Sequence, residues 1–85
     1  MSRRQQLDEQ LLKEKDIILK LGKHCGIRVP SIDKLRKNGM NKQFPASNEL
    51  MVLRYISCYL RWFMQDDGIY NLYKKLKNGE TIDDN

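Results

Sequence analysis

Eighty-five residues fit one domain, and a chain of this size buries only about 60–65% of the surface its unfolded form exposes, so a modest core is expected. A composition of 40% hydrophobic and 32% charged residues, with two Pro and five Gly, excludes a linker-like or disordered chain. The net charge of +5 is uneven: residues 1–45 hold eleven Lys and Arg against five Asp and Glu, residues 46–85 hold five against six, and a basic first half suits an anionic partner or a solvated surface.

In chain order, Leu7, Leu11, Ile18, Leu21 and Cys25 recur on one helical face between Arg3 and Cys25, with Glu14 standing in the missing step of the stripe. Leu12, Ile17 and Leu19 widen that face, which favours a packed helix over an extended coiled coil, and Gly22 is a candidate break. Gly26 stops the helix, and Pro30 or Ser31 opens a short second one with Ile32, Leu35 and Met40 as its apolar contacts. Lys34, Arg36 and Lys37 suit its C-terminal end, and Asn38-Gly39 terminates it.

A connection from Asn41 to Ala46 leads to a third helix over residues 47–65, opened by Ser47. Its polar positions Arg54, Ser57, Arg61 and Gln65 fall on one narrow stripe. Nearly everything else there is apolar, so the helix must be central or must bury a second face against another chain. Asp66-Asp67-Gly68 forms a turn. Ile69, Leu72, Tyr73 and Leu76 then mark a regular amphipathic helix ending at Asn78-Gly79. The expected fold is all-α, a compact four-helix bundle formed by residues 1–79 with a frayed acidic tail at 80–85.

The segment Leu21-Gly22-Lys23-His24-Cys25-Gly26-Ile27-Arg28-Val29-Pro30-Ser31-Ile32-Asp33-Lys34-Leu35 resembles a helix-turn-helix. Leu21 and Gly22 match the apolar and small positions of that motif's first helix, Cys25, Gly26 and Ile27 its turn, and Ile32 and Leu35 the two core positions of its second helix. The resemblance covers roughly 20 residues and is similar to the turn and recognition helix of resolvase, invertase and repressor-type domains. It implies a recognition helix from Pro30 to Asn38 lying in the major groove of double-stranded DNA. Arg28, Val29 and Ser31 would then stand at the helix entry, Lys34 and Lys37 would project outward, and Lys20, Lys23 and Lys42 would meet phosphates. Read without the resemblance, Gly26 to Pro30 simply joins two helices.

No assembled acid, base or nucleophile is visible, so no enzyme is expected. His24 and Cys25 are neighbours whose side chains diverge, which argues against a metal site, and no cofactor motif is present. Cys25 and Cys58 read as buried thiols in a reducing, intracellular setting, with no signal-peptide pattern in the opening residues and no membrane span. The aromatic group Tyr55, Tyr59, Trp62, Phe63, Tyr70 and Tyr73 reads mostly as core, with polar tips outward. Two functions remain open. One is a dimeric DNA-binding or regulatory protein. The other is a subunit or inhibitor that docks on an acidic protein through its apolar helix, with Tyr55, Tyr59, Trp62 and Phe63 at the interface.

Overall fold

The computed structural model describes residues 3–37 and 47–80. They form five helices and, among the described residues, no strand: α1 (Arg3–Lys13), α2 (Lys15–His24), α3 (Ile32–Lys37), α4 (Asn48–Phe63) and α5 (Asp67–Lys77). The architecture is therefore all-helical with five helices rather than four. Met40, Lys42 and the expected stop at Asn38-Gly39 lie outside the described residues, as does most of the expected acidic tail.

The fifth helix arises because the first expected helix is interrupted at Glu14, not at Gly22. Glu14 adopts φ −97° and ψ 16°, outside the helical values, while the Glu14 amide still donates to Gln10 (3.0 Å) and the Ile18 amide to Glu14 (2.9 Å). The junction is a kink that keeps its backbone bonds. Its cause lies in the side chain, which accepts from Tyr73 Oη (2.8 Å) and Gln10 Nε2 (3.0 Å) and lies 3.5 Å from Lys77 Nζ. A carboxylate in the apolar stripe is thus held between α1 and α5 by two hydrogen bonds and an ion pair.

Gly22 lies inside α2, where a Cβ would stand 2.8 Å from Cγ2 of Ile56. Its smallness admits α4. Gly26 closes α2 at φ 74°, a left-handed conformation that glycine adopts without strain. The Ile27 amide reaches back to Gly22 O (2.9 Å) and the Gly26 amide to Lys23 O (3.1 Å), the paired bonds of a Schellman cap. Gly79 repeats the device at the end of α5.

Helix starts use side-chain caps. Ser47 accepts from the Leu50 amide (3.2 Å), and Asp66 accepts from the amides of Gly68 (2.8 Å) and Ile69 (3.3 Å). Ser31 accepts from the Lys34 amide (3.3 Å), so α3 starts at Ile32 while Pro30 lies in the connection.

The core joins Ile18 and Leu21 of α2, Leu53, Ile56 and Leu60 of α4, and Leu76 of α5, with Leu11 and Ile17 packed against it. Leu35, the buried residue of α3, is 1% exposed, and α3 packs on α4. A tie between elements completes the frame. Arg54 of α4 donates through Nη2 to Asp8 Oδ2 (2.7 Å) and Oδ1 (2.8 Å), and through Nε to Oδ1 (3.1 Å), joining α1 to α4.

Candidate binding surfaces

The helix-turn-helix residues come first. The connection between α2 and α3 runs from Cys25 to Ser31, seven residues against the roughly three or four typical of that motif. The expected recognition helix Pro30–Asn38 is described only as the six-residue α3, about 9 Å long at the usual helical rise. Lys23, Arg28, Ser31, Lys34 and Lys37 are all exposed, and among the described residues none of the four cations takes part in an ion pair. Val29 is half-buried and packs against the core, so its side chain faces inward and not toward a groove of DNA. Lys42 lies outside the described residues. Arg36 is committed locally, with Nη2 donating to Asn48 Oδ1 at 2.9 Å.

A second surface lies on α4 and departs in part from the expected pattern of that helix. The stripe Arg54, Ser57, Arg61, Gln65 is only in part a solvent face: Arg61 and Gln65 are exposed, but Arg54 turns inward to Asp8, with only 13% of its side chain exposed, and Ser57 is half-buried. Cys58, Tyr59, Trp62 and Phe63 are exposed as well. Trp62 is 72% exposed, Tyr59 47% and Phe63 38%, while Tyr55 is half-buried with its ring centroid 4.9 Å from that of Tyr59. The reading of these aromatics as mostly core is therefore corrected. Leu53, Ile56 and Leu60 already fill the side of α4 that meets α2, and α1 takes up the flank of Arg54, leaving the rings outside. Cys58 is likewise exposed rather than buried, whereas Cys25 is half-buried and its thiol is pushed up by burial.

The third surface was not legible in the sequence. Between α1 and α2 on one side and α4 and α5 on the other runs an open groove of about 460 Å³. Its apolar walls come from Leu11, Ile17, Leu60 and Met64 among others, and its polar groups are Glu14, Ser57, Arg61 and Tyr73. The Tyr73 hydroxyl, held above the ordinary tyrosine value first by burial and then by Glu14, stays protonated and donates to that carboxylate. The one sequence signal was Glu14 itself, a charge where the stripe called for an apolar residue.

Among the described residues no group of three His, Cys, Asp or Glu side chains is placed to hold a metal, and no helix is long and apolar enough to cross a membrane. Compared with known protein families, with curated proteins and with solved structures, the chain shows no match.

Proposed function

We propose that the protein is a binding module without catalytic activity of its own, docking an acidic protein partner through the aromatic face of α4. The observation that carries the reading is the exposure of Trp62, Tyr59 and Phe63 along one helix, a concentration of large rings that is typical of interface anchors and costly to leave in water. The chain carries +5 overall, so an acidic partner gains by charge complementarity where a second copy of this chain would meet repulsion. Self-association through the same face is thereby the weaker alternative.

The test places a photo-crosslinking amino acid at position 58, exposed on the same helix and leaving the three rings in place, in the cell of origin. A discrete adduct with one acidic protein, lost in Tyr59→Ser but kept in a Lys34→Glu/Lys37→Glu variant, is the expected result. No protein adduct, or one insensitive to Tyr59, contradicts it.

A second reading has an observation of its own. Lys23, Arg28, Lys34 and Lys37 are exposed and unpaired among the described residues, which suits contact with the phosphates of double-stranded DNA. It predicts duplex binding that falls steeply with salt and disappears on charge reversal at Lys34 and Lys37. Binding no stronger than that of an unrelated protein of equal charge removes it. The seven-residue connection between α2 and α3 weighs against this reading.

A further inference from the structure

The groove lined by residues of α1, α2, α4 and α5 shares no lining residue with the aromatic face, and its chemistry is different. Its volume of about 460 Å³ falls within the range of small-ligand sites, about 300–1,000 Å³. Its walls are mainly aliphatic: Leu11, Ile17, Leu60 and Met64 offer methyl, methylene and thioether surface, and the one ring among the described lining residues, Tyr73, is tied by its hydroxyl to Glu14. Such walls suit a flexible hydrocarbon chain.

The polar groups sort into two sets. Glu14 is already satisfied, accepting from Tyr73 and Gln10 and paired with Lys77, so the one anion of the groove is neutralised. Ser57 and Arg61 are not. They stand one helical turn apart on the same flank of α4, both line the groove, and among the described residues neither side chain takes part in a hydrogen bond or ion pair. A hydroxyl and a guanidinium side by side at the edge of an aliphatic trough form a two-donor seat for a carboxylate.

We infer that the groove binds a free, single-chain fatty carboxylate, its hydrocarbon chain along Leu11, Ile17, Leu60 and Met64 and its carboxylate on Arg61 and Ser57. The charge of the head group is set by Arg61, since Glu14 and Lys77 cancel. A cationic amphiphile of equal chain length meets the same walls but the wrong charge.

The test is an NMR titration of the isotope-labelled full chain with dodecanoate below its micelle-forming concentration, with dodecyltrimethylammonium as the control. Saturable shifts are expected at Leu11, Ile17, Ser57, Leu60 and Met64. Arg61→Glu should weaken dodecanoate binding by about tenfold. Ser57→Phe, which fills the groove, should abolish it with helicity retained, and Trp62→Ser should leave it unchanged. Shifts centred on Tyr59 and Trp62, an equal response to the cationic control, or no saturable response each overturn the inference. The crosslinking test on α4 is unaffected by any of these outcomes, so the two readings fail independently.

Discussion

Gly22 shows how a single missing atom sets the distance between two helices. A methyl added there would stand 2.8 Å from Ile56 Cγ2, a branch methyl on a side chain only 4% exposed and so unable to swing away. Overpacking of this kind costs about 1–3 kcal/mol, against about 1 kcal/mol returned by alanine's better helix propensity. Gly22→Ala should therefore lower stability by about 1 kcal/mol, read as a reduced urea midpoint at unchanged slope. A variant as stable as the parent would mean that α2 and α4 do not meet this closely. Tyr73 offers a titration at the same scale. Burial, then the hydrogen bond and charge of Glu14, raise its folded value above 10.0, with Lys77 pulling the other way. A raised value means that folding favours the neutral phenol. The stabilisation is complete below the unfolded value and is lost as pH rises through the folded one. Ring-labelled NMR should show Glu14→Gln moving the Tyr73 transition to lower pH while Tyr55, raised first by its hydrogen bond with Tyr59, stays in place.

Among elements, the Asp8–Arg54 pair ties α1 to α4. Arg54 and Asp8 are 13% and 22% exposed in their side chains, and Arg54 Nη1 is buried with no hydrogen-bond partner among the described residues, so the guanidinium has little other compensation. Asp8→Ala should cost about 2 kcal/mol by leaving that charge unpaired, whereas the double variant Asp8→Leu/Arg54→Met should recover most of the loss. Urea unfolding of the three variants checks this, and equal losses in the single and double variants would contradict it. The same pair explains what the sequence hid. Periodicity located the helical segments and local chemistry their ends, because Ser47, Gly26 and Gly79 act through bonds within a few residues. The outward face of α4 was misread because Arg54 looks like solvent and Trp62 looks like core. The placement of Asp8, 46 positions away in the chain, draws Arg54 inward. The kink at Glu14 escaped for a similar reason, since its partners Tyr73 and Lys77 come from the far end of the chain.

At the scale of the whole molecule, the basic segment from Lys23 to Lys37 and the aromatic face of α4 are separate features, and the second carries the functional account. The helix-turn-helix pattern matched apolar and small residues that also serve a helical connection: Gly22 admits α4, Gly26 caps α2 and Val29 joins the core. Trp62 is the sole tryptophan of the chain and reports directly on that face. The decisive measurement is its fluorescence during titration with the acidic partner recovered by crosslinking, paired with the affinity of Trp62→Ser. The account predicts a blue shift on binding and a loss of about 30-fold or more in the variant, the size expected of a central anchor. An unshifted emission with undiminished affinity in Trp62→Ser would contradict it.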